Sequence, residues 1–201
     1  MNAPCTHIID DDEAIRDALE WLFKTRGVPC RAWPSGENFL AAWLPDWRGC
    51  IVLDIRMQGM SGLECIDTLL ARGCELPVIF ITGHGDVPMA VSALKKGAFH
   101  FIEKPFNDHD LVDLVEKALA VDRDRQRAAA SRETIEARLA TLTQREREVM
   151  ELILEGKYNK VIADDLSISM RTVEAHRSRI FDKMDVRSAV ELAQLLTNLR
   201  S

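Results

Sequence analysis

The chain has 201 residues, of which 47% are hydrophobic and 29% are charged, and its formal net charge is −6. These values predict a folded cytoplasmic protein, because no apolar run is long enough to span a membrane and the first residues lack the pattern of a secretory signal. Five cysteines without metal-ligand spacing argue against a disulfide framework and against a zinc site.

The acidic and basic residues are unevenly distributed along the chain. Residues 1–121 have a formal net charge of −7, whereas residues 143–201 are neutral. This contrast predicts two domains with different partners. We therefore divide the chain into a first domain at 1–121, a helical linker at 122–141 and a second domain at 142–201.

In the first domain, short apolar segments alternate with amphipathic ones. The segments typical of strands are 6–9, 28–33, 51–54, 77–81 and 99–102. The segments typical of helices are 13–26, 37–43, 62–72, 87–96 and a fifth that begins at 108. Strands that alternate with helices predict βαβ crossovers and an α/β fold with a five-stranded, doubly wound parallel sheet.

Polar side chains follow the predicted strands at their carboxyl ends: Asp10, Asp11, Asp54, Thr82 and Lys104. Because the carboxyl ends of parallel strands meet at one edge of the sheet, we expect these side chains to converge. Converging carboxylates need a cation, and hard oxygen ligands suit Mg²⁺. A metal and a lysine could together offset the charge of a transferred phosphoryl group, with Asp54 as the nucleophile.

Each of these residues, taken alone, has a simpler explanation. Asp54 could cap a loop, and the acidic run at 10–13 could stabilise a helix amino terminus. Thr82 could be a turn hydroxyl and Lys104 a solvated loop residue. Their coincidence at successive strand ends favours the functional interpretation.

The polar groups at the strand ends resemble the site of two-component receiver domains, which have a flavodoxin-like fold: Asp10-Asp11, Asp54, Thr82 and Lys104-Pro105. The stretches 81–91 and 101–106 look like the FixJ-type subgroup of these domains. The resemblance implies that Asp54 accepts phosphate from a sensor histidine kinase.

The resemblance also implies a set of Mg²⁺ ligands: Asp10 through a water molecule, Asp11, Asp54 and the Arg56 carbonyl. Lys104 would pair with the phosphate, and Thr82 would hydrogen-bond it while Phe101 rotates inward as the switch aromatic. The Lys104–Pro105 bond would be cis. Family members usually have proline where this chain has Gln58, and because proline fixes φ, Gln58 is expected to loosen the loop beside the metal.

The join between the domains contains neither proline nor glycine from residue 107 to residue 147. An apolar helical face, a charged run and a second apolar face at Ile135, Leu139 and Leu142 follow one another. This pattern predicts either one long helix or two helices that meet near Ser131. Whether the charged run is a solvated face or part of a dimer seam stays open.

The second domain is predicted to contain four short helices. Thr143 and Glu146 form a capping-box pattern at the first of them, and the others cover about 159–166, 169–183 and 188–199. A helix, a tight turn and a second helix with a net charge of +2 over 169–183 are typical of a helix-turn-helix, although the pattern also fits a helical dimerisation bundle.

The stretches 142–149, 159–163 and 172–177 look like the LuxR/NarL-type DNA-binding domain. The resemblance implies that the helix at 169–184 enters the major groove and that three of its residues face base edges: Glu174, Ala175 and Ser178. Candidate contacts to DNA phosphates are Asn159, Lys160, Arg171, Thr172, Arg177, Arg179 and Lys183. His176 is either a packed residue or a contact.

The two resemblances together predict a response regulator of transcription rather than an enzyme. Expected partners are a sensor histidine kinase, double-stranded DNA, RNA polymerase and, after phosphorylation, a second copy that docks through Val91, Lys95 and Phe101. A haloacid-dehalogenase-type phosphohydrolase is the first alternative, but it would need a second acid where Arg56 stands. A regulator that ignores phosphate, or an output domain that binds RNA or protein, is the second alternative.

Overall fold

The computed structural model describes residues 3–83 and 87–200, except for the side chains of residues 87–90, 198 and 200. Residues 84–86, which belong to the stretch that resembles the FixJ-type subgroup, lie outside the described residues. The chain forms two compact units, Met1–Arg125 and Gln126–Ser201. Within the described ranges, no helix combines the length and the apolar character that crossing a bilayer requires.

The first unit contains a five-stranded parallel sheet with the strand order β2-β1-β3-β4-β5. Its strands are β1 Cys5–Ile9, β2 Cys30–Trp33, β3 Gly49–Asp54, β4 Val78–Thr82 and β5 His100–Glu103. All six residues of β3 are buried, which explains why its sequence is an uninterrupted apolar run rather than an alternating one. The prediction of a doubly wound parallel sheet is confirmed.

The helices of the first unit are α1 Glu13–Thr25, α2 Gly36–Ala42, α3 Gly62–Ala71, α4 Val87–Lys95 and the first part of α5 Asp108–Ala140. Ser61 and Glu64 form a capping box at α3. Successive residues of a strand point to opposite faces, so Ile8 and Ile9 enter different apolar clusters, one on each side of the sheet. Both faces are therefore covered.

Helix α5 is one continuous helix of 33 residues, so the choice between one helix and two is settled in favour of one. Leu111 and Val115 bury its first turns against the sheet. Farther along, the buried carboxylate of Asp122 accepts a hydrogen bond of 3.0 Å from the backbone N–H of Gly49. Beyond the unit boundary, Ile135 is buried in the core of the second unit.

The described part of the second unit contains four further helices, as predicted: α6 Gln144–Leu154, α7 Asn159–Asp165, α8 Met170–Met184 and α9 Ala189–Arg200. Thr143 and Glu146 form the predicted capping box at α6. Ser169 caps α8, since its hydroxyl accepts a hydrogen bond from the N–H of Thr172. Val173, Ile180 and Met184 turn the inner face of α8 into the core.

Several predicted boundaries differ from the structure by one or two residues, and two of them have a clear local reason. Strand β2 begins at Cys30 rather than Val28 because the N–H of Val28 is used in the turn after α1, where it donates to Phe23 O at 2.9 Å. Helix α9 begins after Ser188 because the Ser188 hydroxyl caps it, accepting from the N–H of Glu191 at 3.1 Å.

Candidate functional site

Three carboxylates meet at the carboxyl edge of the sheet. Asp10 and Asp11 follow β1, and Asp54 is the last residue of β3. One oxygen from each lies within 4.8 Å of the others. Asp10 and Asp54 are buried and Asp11 is exposed, so the cluster opens to solvent on one side.

The amine of Lys104 bridges two of these carboxylates. Its Nζ lies 3.1 Å from Asp10 Oδ2 and 3.2 Å from Asp54 Oδ1. Lys104 follows β5, and its backbone N–H donates to the Thr82 carbonyl at 2.7 Å. The Lys104–Pro105 bond is cis, as the resemblance implied.

Burial and neighbouring charges shift the pKa of Asp54 away from its ordinary value. Burial raises the pKa of Asp54 to about 6; the charge of Lys104 lowers it, and those of Asp10 and Asp11 raise it further. Burial also acts to lower the pKa of Lys104, but attraction to Asp54 and Asp10 outweighs it and the pKa is raised. Lys104 therefore remains a cation, and Asp54 is mostly ionised at neutral pH.

The donor set of this edge fits Mg²⁺. Three carboxylate oxygens at short mutual distances are hard ligands, and their mutual repulsion is only partly offset by one ammonium group. Arg56 lies two residues beyond Asp54, and its side chain is exposed. Arg56 also stands where a phosphohydrolase of the haloacid dehalogenase type would need its second acid.

Thr82 and Phe101 lie on the neighbouring strands β4 and β5. Thr82 is buried, and its hydroxyl donates to the Gly83 carbonyl at 3.2 Å. Phe101 is half-buried, lies opposite Phe80 in the register and packs against the core on one side of the sheet. Of the residues expected at the docking face, Val91 and Lys95 are exposed on α4.

The loop between β3 and α3 contributes contacts that sequence reasoning missed. The backbone N–H of Gln58 donates to Asp11 Oδ2 at 2.9 Å, and that of Met60 donates to Glu37 Oε1 at 2.9 Å. A backbone donor carries no sequence signal beyond the absence of proline, and this chain has that signal at position 58. The close approach of α3 is set by Gly62, where an added Cβ would lie 2.3 Å from the Asp54 carbonyl oxygen.

A second candidate site lies on the outer surface of α8. Arg171, Glu174, Ala175 and Ser178 are exposed at a spacing of three and four residues, which places them on one face of the helix. Arg179 is exposed beside this face. Thr172 and Arg177 are half-buried, as is Asn159 at the start of α7, whereas Lys160 is exposed.

Some of the residues considered for DNA contact also make contacts inside the second unit. Lys183 Nζ lies 2.7 Å from the buried carboxylate of Glu146 and 2.9 Å from the Thr141 carbonyl. The guanidinium of Arg177 lies 5.4 Å from the ring centre of Phe181. Among the described residues, His176 Nδ1 is buried without a hydrogen-bond partner. This favours a His176 ring that packs inside the unit over one that contacts DNA.

Comparisons with known proteins match both halves of the chain. Residues 6–116 match the family described as response regulator receiver domain, and residues 140–196 match bacterial regulatory proteins of the luxR family. The C4-dicarboxylate transport transcriptional regulatory protein DctR of Rhodobacter capsulatus is 51% identical over 191 residues, which cover 94% of this chain and 97% of that protein.

Two further comparisons extend over nearly the whole chain. The transcriptional regulatory protein FixJ of Azorhizobium caulinodans is 45% identical over 189 residues, which cover 94% of this chain and 90% of that protein. The solved structure of the response regulator StyR has a TM-score of 0.87 at 38% identity and covers 98% of this chain and 99% of that one.

Proposed function

Because this chain belongs to the response regulators that join a receiver domain to a LuxR-type DNA-binding domain, we propose that it is a phosphorylation-controlled regulator of transcription. A sensor histidine kinase donates a phosphoryl group to Asp54 in a Mg²⁺-dependent reaction. The observation that carries this proposal is the contact of the Lys104 amine with both Asp10 and Asp54, beside the exposed carboxylate of Asp11.

Each side chain at the edge of the sheet has a role in the transfer. An oxygen of Asp54 forms the new bond to phosphorus while the bond from phosphorus to the donor nitrogen breaks. Lys104 is already within hydrogen-bond distance of Asp54 and can pair with an oxygen of the arriving group. Asp11, Asp54 and the Arg56 carbonyl would hold Mg²⁺, with Asp10 acting through a water molecule, and the bound ion would offset the negative charge of the site.

Phosphorylation then shifts an equilibrium between two receiver conformations. Thr82 gives up its bond to the Gly83 carbonyl and donates to the phosphoryl group, and Phe101 rotates inward. The face that contains Val91, Lys95 and Phe101 changes shape and docks on a second copy. Support comes from the adjacent strands of Thr82 and Phe101 and from the exposure of Val91, at 42% of its surface.

The second unit supplies the output. Helix α8 enters the major groove with Glu174, Ala175 and Ser178 against base edges, while the basic residues of α7 and α8 contact phosphates. Lys183 must leave its ion pair with Glu146 before it can reach a phosphate. The bound dimer acts on RNA polymerase. We assign residues 1–121 to the receiver domain, 122–141 to the linker and 142–201 to the DNA-binding domain.

The decisive experiment measures DNA affinity by gel shift with and without acetyl phosphate and Mg²⁺. The parent protein is expected to gain about tenfold in affinity, within the usual range of coupling between two sites. Asp54→Asn removes the nucleophile and should show no gain. Asp113→Asn is the matched control, because it makes the same change at an exposed position of α5 and should gain as the parent does. An equal gain in Asp54→Asn would contradict the proposal.

A further inference from the structure

Two main-chain N–H groups of the β3–α3 loop, residues 55–61, donate to carboxylates that come earlier in the chain. Gln58 donates to Asp11, and Met60, two residues later, donates to Glu37 at the start of α2. Between them, Gly59 has a φ of +79°, a left-handed conformation that glycine adopts readily. Of the two carboxylates, only that of Asp11 belongs to the acidic cluster.

The bond from Gln58 exists because residue 58 is not proline. Proline has no backbone N–H, so a chain with proline at this position stiffens the loop through its fixed φ but cannot donate to Asp11. In this chain the stiffening by proline is lost and a direct bond to a metal-binding carboxylate is gained. The loop and the acidic cluster are therefore connected by a contact that depends on the identity of residue 58.

We propose that the backbone N–H of Gln58 is a positioning group for the metal site, holding Asp11 in the orientation that lets the acidic cluster take up Mg²⁺. A carboxylate has two oxygens, so one can accept from Gln58 while the other remains available to a metal. Asp11 is exposed, and without the bond its side chain would be free to turn toward solvent. Groups that orient metal ligands in this way commonly contribute tenfold or more to metal affinity.

This inference rests on the proposed function, because it assumes that the acidic cluster binds Mg²⁺. It adds that metal uptake and the order of the β3–α3 loop are coupled. Coupling of this kind is reciprocal, so bound Mg²⁺ must protect the Gln58 N–H as much as the N–H favours Mg²⁺. A purely structural role for the bond would not have that consequence.

The first test measures Mg²⁺ affinity of the full chain by isothermal titration calorimetry without a phosphodonor. Gln58→Pro removes the N–H and is expected to weaken binding about tenfold. Gln58→Ala keeps the N–H and removes only the side chain, so its affinity should stay within about twofold of the parent. Glu37→Gln weakens the bond from Met60 without touching Asp11, and its effect on affinity should be small.

A second test reads the hydrogen bond itself by amide hydrogen exchange in NMR spectra. In the parent protein, Mg²⁺ should slow exchange of the Gln58 amide. In Asp11→Ala the Gln58 amide should exchange rapidly, while the Met60 amide keeps its protection from Glu37. This readout does not depend on how well the proline variant folds.

The outcomes separate the inference from the proposed function. A parent protein that binds no Mg²⁺ would overturn the proposed function. A parent that binds Mg²⁺ while Gln58→Pro binds it equally or more tightly would overturn only the inference. Equal weakening by Gln58→Ala, or by Glu37→Gln, would also overturn it, because the effect would then come from the side chain or from general loop order.

Discussion

His7 lies in the middle of β1 with 4% of its surface exposed, and its ring is stacked on Trp47 with 4.6 Å between ring centres. Trp33 Nε1 donates to His7 Nδ1 at 3.3 Å, so that ring nitrogen must be unprotonated. Burial, reinforced by the positive charge of Arg31, lowers the pKa of His7 to about 4. The folded receiver therefore keeps this histidine neutral at a pH where an exposed histidine would gain a proton.

The neutral state of His7 makes stability depend on pH. The unfolded chain has the ordinary histidine pKa of 6.5, so it takes up a proton as the pH falls below that value, whereas the folded chain resists until about pH 4. The stabilising contribution is thus complete above pH 6.5 and is lost as the pH falls. Between about pH 7.5 and about pH 5 we expect the free energy of unfolding to drop by about 2 kcal/mol from this residue.

The measurement is urea unfolding followed by tryptophan fluorescence, which reports on the first unit alone because the four tryptophans lie between residues 21 and 47. His7→Gln keeps an acceptor for Trp33 but does not titrate, so its drop over the same interval should be smaller by about 2 kcal/mol. An identical pH dependence in the variant and the parent would show that His7 is not the cause.

Some of these features of single residues could be predicted from the sequence, and others could not. The convergence of Asp10, Asp54 and Lys104 could be predicted because each comes at the end of an apolar strand, and parallel strands end at a common edge of the sheet. The N–H of Gln58 and the burial of His7 could not be anticipated in this way. The first depends on the path of a loop, and the second on aromatic rings that arrive from three separate segments.

Helix starts were predictable because their signals are local. Ser61 illustrates this, since its hydroxyl accepts from the Glu64 N–H and the Glu64 carboxylate accepts from the Ser61 N–H. The continuity of α5 was not settled by local signals, because its charged middle fits one helix or two. Its course depends instead on packing, with Asp122 bonded to Gly49 in the first unit and Ile135 buried in the second.

The cap of α3 can be tested by removing the Ser61 hydroxyl. Ser61→Ala leaves the N–H of Glu64 without its acceptor, and we expect the first unit to lose about 1 kcal/mol of unfolding free energy. Urea unfolding with tryptophan fluorescence again gives the value. Ser92→Ala makes the same chemical change inside α4 of the first unit, away from a helix start, and should change the fluorescence transition less. Equal effects of the two variants would argue against a capping role.

On the scale of the whole molecule, charge is separated between the two units. The chain is acidic overall, at −6, yet the α8 surface is lined by Arg171 and Arg179, with Lys160 on α7. The electrostatic potential at the surface where DNA would bind depends mainly on nearby charges, because salt screens charges farther away than about 10 Å. Net acidity and DNA binding are therefore compatible in one chain, and the contrast between residues 1–121 and 143–201 already predicted this division.

Phosphate contacts by α8 should appear in the salt dependence of DNA binding. The logarithm of the association constant falls linearly with the logarithm of salt concentration, by about 0.9 for each neutralised phosphate. Arg179→Ala should reduce this slope by about 1 and weaken binding to all DNA sequences alike. Fluorescence anisotropy over a series of salt concentrations measures both quantities.

Arg132→Ala is the matched control, because Arg132 is exposed on α5 and belongs to neither of the helices proposed to contact DNA. Its slope should equal that of the parent. A slope unchanged in Arg179→Ala would remove this arginine from the phosphate contacts, and a loss confined to one DNA sequence would assign it to base recognition instead.

Gly62 affects the candidate site because it has no side chain. A Cβ at this position would meet the Asp54 carbonyl at 2.3 Å and Ile55 Cα at 3.0 Å, so any other residue must push apart α3 and the strand end that carries Asp54, the proposed phosphoacceptor. In a saturation-mutagenesis screen, position 62 would behave like a member of the reaction centre. Gly62 contributes only the space that a side chain would otherwise fill, so reagents that label reactive side chains would not detect it.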